Sequence, residues 1–524
     1  MPYVVRWFVR IALLSLLVAP WVPTFADPQK PIQLAPKIAD VLNGPDYKHA
    51  HWGLLVVDLE SGEMLHELNA DKLFAPASTT KLFSTASALD ALGADHRFET
   101  PVFRVGDVDE KGELRGDLIL VASGDLSFGG RTNGDGKIAF KDSDHTYANG
   151  NETAELTEPD PLAGINELAK QVAAAGIRRV RGNVLIDDRL FDKAESSGSG
   201  PASLTPIIVN DNLIDIVITP ATAGEPARVT SRPETALYQI DAVVDTGEKD
   251  SMTQVIVSEA GPGRITVRGR IAAGHKPLVR VYEADDAAAF ARGLFIESLR
   301  RNGVIVDASP LAPQASTRLP RAGADGMTRV ASLKSPPFSE SVKLILKVSH
   351  NLQASTLPLL VAAKHGKRSL ADGLRLQHDF LSRAGVDVDT ISFGGGAGGS
   401  RADYATPRAT VQLLRFMSKR PDFAVYESAL PVLGTDGTLA TVVGPDSPAR
   451  GHVQAKTGTL FWDNTMNGRF LLTSKALAGY MTTARGRRLA FAMFVNNTHL
   501  QKATDTAREG RTLGRLCEII FADQ

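Results

Sequence analysis

Pro76-Ala77-Ser78-Thr79-Thr80-Lys81 heads a segment in which Leu82, Ala86 and Leu89 recur at helical spacing before Gly93. Proline at the start and glycine at the stop punctuate a helix, so Ser78 is expected in its first turn. Residues three apart share a face, which carries the Lys81 amine over the same turn as the Ser78 hydroxyl. A hydroxyl is a poor nucleophile until a neighbour takes its proton, and a lysine does so only where burial or a second cation lowers its pKa. The helix N-terminus adds backbone N–H groups and partial positive charge where an oxyanion would form. Taken alone, the pair reads more readily as a helix-start serine followed by a solvated lysine.

Two further elements, Ser349-His350-Asn351 and Lys456-Thr457-Gly458, follow in order. Average composition gives a chain of this length Ser-x-x-Lys about once or twice by chance, Ser-x-Asn about once, and Lys-Thr-Gly on the order of one time in ten. Lys456 is a candidate for the cation that lowers the Lys81 pKa. A hydroxyl, an amine beside it, a second hydroxyl and a cation together suit acyl transfer from an amide whose product end is a carboxylate.

The rest of the chain narrows the field. Its 524 residues are 43% hydrophobic, enough for several packed cores, which rules out a disordered or fibrous protein. Fifty-eight Lys plus Arg against 59 Asp plus Glu leave a net charge of -1, so no global field attracts nucleic acid or an anionic membrane. The lone cysteine, Cys517, forms no intramolecular disulfide or thiolate cluster and sits in the apolar stripe of the last helix as a core residue. The histidines are dispersed without a His-Glu-x-x-His pair, and His49 and His51 fall on opposite sides of a strand, so neither a metal nor a cofactor is expected. At the N-terminus, Arg6 and Arg10 precede an apolar run from Ile11 to Val22, and Thr24-Phe25-Ala26 supplies small residues for cleavage near Ala26. That run is broken by Pro20 and is shorter than the roughly 20 residues of a spanning helix, so it reads as a secretory signal and places the mature protein in the periplasm.

Strand-like runs at Trp52 to Asp58 and Met64 to Leu68 flank Glu60-Ser61-Gly62, a hairpin signal. Strands and turns are expected from Phe98 to Asp125, then a long exposed loop from Phe128 to Pro161. Within it Asn133, Asp135, Gly136, Ile138 and Asp142 nearly match a calcium loop, but Arg131 stands where the first carboxylate ligand is required. A helix over Leu162 to Ala175 and a strand over Gly182 to Asp187 lead into a β-rich middle third, and Asp286 to Asn302 is again helical in spacing. Pro310 to Pro320 reads as a boundary, followed by helices near Ser339 to Lys347 and Asn351 to Lys364 and strands at Ala476 to Met481 and Leu489 to Val495.

The three short elements, with Ala122-Ser123-Gly124-Asp125, Val209-Asn210-Asp211-Asn212-Leu213, Leu430 to Leu439 and Ala478-Gly479-Tyr480, resemble penicillin-binding proteins. More narrowly, the chain is similar to the D-Ala-D-Ala carboxypeptidase/endopeptidase family, the low-molecular-mass class C group. The stretch between Ser78 and Ser349 is far longer than a compact β-lactamase would place there, and large insertions in that gap mark the group. The resemblance implies an α+β fold: a discontinuous catalytic domain, with an antiparallel sheet sandwiched by helices, and two nested, mostly β inserts. The expected partition is 1–26 signal, 27–99 with 316–524 catalytic, 100–192 with 284–315 second domain, and 193–283 third domain.

The resemblance also assigns roles. Ser78 is acylated, Lys81 is the base, Ser349 relays a proton to the leaving amine, and Asn351 positions the substrate amide and Lys81. Lys456 attracts the terminal carboxylate, with Thr457, Gly458 and Thr459 along its strand; the Thr457 and Thr459 hydroxyls lie in hydrogen-bond range, and the N–H groups of Ser78 and Thr459 form the oxyanion hole. Arg401 closes Gly394-Gly395-Gly396-Ala397-Gly398-Gly399-Ser400-Arg401, which departs from the family's usual loop, and would hold a side-chain carboxylate of a diaminopimelate-type peptide. Asp187 would contact that peptide's free amine. His350 stands where Asp is common and is read as structural. The implied partners are peptidoglycan stem peptides and β-lactams as covalent inhibitors, with no nucleic acid and no integral membrane segment after signal removal; a homodimer is admitted. The rivals are a β-lactamase, which adds rapid deacylation, and a non-catalytic envelope scaffold.

Overall fold

The computed structural model describes residues 34–320 and 327–524, so the signal reading of residues 1–26 lies outside the described residues. A six-stranded sheet joins the two ends of the chain: Val453–Asn464, Arg469–Thr482, Arg488–Asn496, His51–Asp58 and Met64–Leu68 lie side by side, with Thr498–Leu500 on the outer half of the second. Every pairing in it is antiparallel. Helices cover both faces, which is why His51–Asp58 is buried along almost its whole length rather than alternately.

The period of two survives in the destination of each side chain. Leu55 and Val57, with Ala490, Ala492 and Phe494, pack against Leu82, Phe83 and Ala86 of the helix Thr80–Leu92. Leu54 and Val56, with Phe491, Met493 and Val495, pack against Leu513, Leu516, Cys517 and Ile520 of the helix Thr506–Asp523. Burying each large aliphatic or aromatic side chain stabilises the fold by about 1.5–3 kcal/mol, so these two layers fix the sheet's register. Cys517 is fully buried there, as expected, and burial pushes its thiol pKa up.

Between the sheet's two halves lies a second body. Its main sheet orders Ile305–Val306, Arg179–Val180, Glu113–Val121, Glu99–Val108 and Thr328–Lys334, with Val184–Asp187 also on Glu113–Val121. The helices Ala163–Ala174 and Ala287–Arg301 pack on it, while strands make up most of the insert's regular structure, as expected. Two three-stranded sheets, all within 213–283, complete the insert, and their apolar residues join the same hydrophobic cluster. Thr328–Lys334 pairs antiparallel with Glu99–Val108, so the chain leaves the insert after this strand and not at the proline-rich stretch. Proline there marks an irregular connection, and the ladder hydrogen bonds decide the boundary.

The stretch 128–161 is not an exposed loop. It holds little regular structure beyond His145–Tyr147, yet Arg131, Ile138, Asp144, His145 and Ala148 are buried. The polar composition misleads because these groups satisfy one another rather than water. Arg131 donates to Asp144 at 2.7 and 3.0 Å and to Asp211 at 2.7 and 3.0 Å, so its charge holds a buried ion cluster together at the position a calcium ligand would need. Among the described residues no helix is long and apolar enough to cross a membrane.

Candidate active site

A short turn, Ala77–Thr79, runs into the helix Thr80–Leu92, which Gly93 ends. Ala77 takes φ +47, a left-handed conformation that costs a residue with a Cβ about 1–2 kcal/mol. Two glycines let the surroundings close on this strained turn. A Cβ at Gly398 would lie 1.9 Å from the Ala77 carbonyl oxygen, and one at Gly458 would lie 2.6 Å from that of Pro76. Gly458 is thus needed for the approach of its strand to the Ser78 turn. The Thr79 hydroxyl ties the turn by donating to the Pro76 carbonyl at 2.7 Å.

Lys81 is fully buried beneath this turn. Its Nζ lies 2.9 Å from Ser78 Oγ, 2.7 Å from Asn351 Oδ1 and 2.9 Å from the Ala397 carbonyl oxygen. Burial first, and the Lys456 charge second, hold its pKa well below the usual amine range, while Asp403 opposes them. A neutral amine has two N–H donors and one lone pair. Asn351 Oδ1 and the Ala397 carbonyl can only accept, and the remaining partner is the one hydroxyl that can donate. The environment therefore favours an amine whose lone pair faces the Ser78 proton.

Ser349 sits at φ +64 just before the helix Asn351–Lys364, its Oγ 2.9 Å from Lys456 Nζ. Lys456 is also fully buried and gives a second hydrogen bond to the Thr457 carbonyl at 2.8 Å. Burial, then Lys475, push its pKa down to about 7. His350 caps the helix by accepting from the Gln353 N–H at 3.3 Å, and its Nε2 lies 3.0 Å from Asp211 Oδ1. It holds the helix start and connects the Ser349 motif to the insert's ion cluster.

A cleft of about 320 Å³ opens over these groups, lined by Ser78, Ser349, Asn351, Thr457, Thr459 and Lys475 on the catalytic side and by Asp142, Ser143, Tyr147 and Asn151 on the insert side. Residues remote in sequence thus converge on Ser78: Lys81, Ser349, Asn351, Lys456, Thr457, Gly458 and Thr459 all lie in or directly beneath one cleft wall. Arg401 and Asp187 are not brought in. The Arg401 guanidinium stacks 4.9 Å from the Trp462 ring centre, and Asp187 is paired with Arg189 at 2.6 Å; neither lines the cleft.

Three groups escaped the sequence. Asp403, pushed up to about 6 by burial, accepts from the Gly394 and Ser400 N–H groups and so closes the glycine-rich loop that presents the Ala397 carbonyl. The Tyr147 hydroxyl donates to the Ser349 carbonyl from the stretch read as a loop. Lys475 reaches the cleft from the strand next to Lys456. None belongs to a local motif; Lys475 alone left a trace, as a charge at the edge of an otherwise apolar strand.

The site thus sets a serine–lysine pair at a helix start beside the edge of an antiparallel sheet that lies between helices. The chain belongs to the D-Ala-D-Ala carboxypeptidase 3 (S13) family, whose model matches residues 34–513. It is 29% identical over 517 residues to a D-alanyl-D-alanine carboxypeptidase of Actinomadura sp. (strain R39), covering 94% of this chain and 86% of the relative. It is 25% identical to the D-alanyl-D-alanine carboxypeptidase DacB of Haemophilus influenzae, covering 85% of each. The crystal structure of penicillin binding protein 4 from Haemophilus influenzae superposes with a TM-score of 0.67 at 22% identity, covering 92% of this chain and 99% of that one, which supports the fold.

Proposed function

We propose that this protein is a serine-type D-Ala-D-Ala carboxypeptidase acting on peptidoglycan stem peptides through a Ser78 acyl-enzyme, and that it also cleaves D,D cross-links of the same chemistry. The observation that carries the reading is the buried Lys81 amine, set between two obligate acceptors and the Ser78 hydroxyl. Lys81 takes the Ser78 proton as Oγ attacks the carbonyl of the penultimate D-Ala. The N–H groups of Ser78 and Thr459 hold the oxyanion. When the carbon–nitrogen bond breaks, the proton returns through Ser349, which Lys456 orients, to the departing amine. Water then attacks the ester and restores Ser78. A β-lactam follows the same first step, but its leaving nitrogen stays tethered to the acyl group. Substrates of this kind lie outside the inner membrane, which agrees with the N-terminal signal reading.

The test is intact-mass measurement after exposure to benzylpenicillin, paired with release of D-Ala from stem peptides and assay on cross-linked dimers. A single adduct, lost in Ser78→Ala, and D-Ala release are expected. Fast turnover of the antibiotic would favour a β-lactamase instead. A folded protein that never acquires an adduct would favour a non-catalytic scaffold.

A further inference from the structure

The steps above leave one amine of the cleft unused. Lys475 stands directly opposite Thr459 across the ladder of Val453–Asn464 and Arg469–Thr482, and its Nζ lies 2.9 Å from Thr459 Oγ1. The three amines near Ser78 differ in how their hydrogen-bonding capacity is engaged. Lys81 has three partners, and Lys456 has Ser349 Oγ and the Thr457 carbonyl; neither amine lines the cleft. Lys475 lines the cleft and, among the described residues, has Thr459 Oγ1 as its single hydrogen-bond partner, which leaves two N–H donors of its ammonium form free.

Its charge is also uncompensated. Glu509, the acid whose field reaches it, accepts from the Tyr47 hydroxyl at 2.7 Å and from Arg508 at 3.0 Å, and makes no ion pair with Lys475 within 4.0 Å among the described residues. Burial lowers the Lys475 pKa only to about 8, so at neutral pH most of the amine keeps its charge. A partly desolvated cation with free donors and no counter-ion is a site prepared for an anion. The ammonium also occupies a lone pair of Thr459 Oγ1, so that hydroxyl's own proton remains to be donated. The Thr457 hydroxyl, by contrast, is engaged with Thr438 Oγ1 at 2.8 Å.

We infer that Lys475, together with the Thr459 hydroxyl it orients, is the charged anchor for the free carboxylate of the substrate's leaving residue. This moves the electrostatic role that the sequence put on Lys456 to the neighbouring strand, and leaves Lys456 to orient Ser349. It rests on the acyl-enzyme reading of the same cleft. The ligand group it selects is a carboxylate on the carbon next to the scissile amide nitrogen, present in a D-Ala-D-Ala terminus and in a penicillin alike.

The experiment compares acylation rate constants for benzylpenicillin and its methyl ester, followed by intact mass, in the wild type and in Lys475→Met, Lys475→Gln and Lys475→Arg. The wild type should prefer the free acid. In the Met variant that acid-to-ester preference should fall roughly tenfold to hundredfold, the span of a lost charge-assisted hydrogen bond. Gln can still hold Thr459 through a neutral N–H and should behave like Met, whereas Arg should retain most of the preference. An unchanged acid-to-ester ratio in Met and Gln would overturn the assignment while leaving the acyl-enzyme intact. A wild type that neither compound acylates would instead remove the acyl-enzyme reading, and this anchor with it. Thermal melts identify folded variants; if Met unfolds, the Gln and Arg pair carries the same comparison.

Discussion

Asp211→Asn removes one charge from the centre of the buried cluster while keeping the side chain's volume. The carboxylate touches three groups: Arg131 at 2.7 and 3.0 Å, His145 Nε2 at 3.0 Å and His350 Nε2 at 3.0 Å. Its own pKa lies well below the usual carboxylate range because the attraction of Arg131 and His350 outweighs burial. Removing one member of a buried ion pair costs about 3–5 kcal/mol, because the partner's charge stays buried. Asp144 remains for Arg131 and Asp215 for His145, so the lower end of that range is expected.

At about 2–4 °C per kcal/mol for a unit of 150–250 residues, the melting temperature should fall on the order of 10 °C. The sign of the pH effect follows from His145. Its folded pKa is raised to about 10, by Asp215 and by its bonds to both aspartates against burial, from an ordinary value of 6.5. The stabilisation is therefore whole below 6.5 and is lost as pH rises through about 10. In the variant it is lost earlier, so the gap between the two proteins is widest near pH 6 and narrows toward pH 10. Because His350 leads directly to Ser349 and Asn351, acylation by benzylpenicillin should slow as well. Melts within about 2 °C of wild type at pH 6, with unchanged acylation, would refute the view that this cluster holds the site.

Lys456→Met should separate stability from activity. The Lys456 pKa, about 7 when folded against an ordinary 10.5, means that burial costs stability below about 7 and that the cost fades toward 10.5. The variant's melting temperature should accordingly rise relative to wild type at pH 6 and by less at pH 10, while acylation drops by at least about a hundredfold; a lower melting temperature at pH 6 would contradict this. Gly398→Ala places a Cβ 1.9 Å from the Ala77 carbonyl oxygen and at φ +88, so the Ser78 turn must shift. Acylation should fall by roughly a hundredfold or more, since a 1 Å displacement of a nucleophile costs that much. Retained acylation in stopped-flow measurements would mean that the turn tolerates the glycine-rich loop moving away.

The candidate site's side chains were legible because their pattern is local. Ser78 and Lys81 share one turn, and Lys456 and Thr457 announce a strand that must pass beside it. The helix at 339–347 was readable from its period because it buries one face, and the helix at 351–364 and the strands at 476–481 and 489–495 from their apolar runs, since they are buried nearly throughout. What failed was whatever depended on a partner far along the chain. Arg131, Asp144 and His145 look like surface residues until Asp211 is brought against them. Thr328–Lys334 belongs with the insert because Glu99–Val108 offers it an open ladder, a fact that no proline count records. Lys475 gains its meaning only from being opposite Thr459.

His51–Asp58 finds its ladder partner in Arg488–Asn496, made much later. During synthesis that strand must wait, one edge unpaired, until Arg488–Asn496 has been made, whereas the insert can close its own sheets in the interval. Joining such distant ends adds only about 0.6 kcal/mol for each doubling of the intervening length, so the delay is a matter of timing more than of energy. A ribosome-released fragment that stops before Arg488 would carry Ser78, Lys81, Ser349 and Lys456 without a formed cleft, because the slab on which they are mounted would be missing its middle plank. Assembly of the cleft is thereby withheld until Arg488–Asn496 is in place.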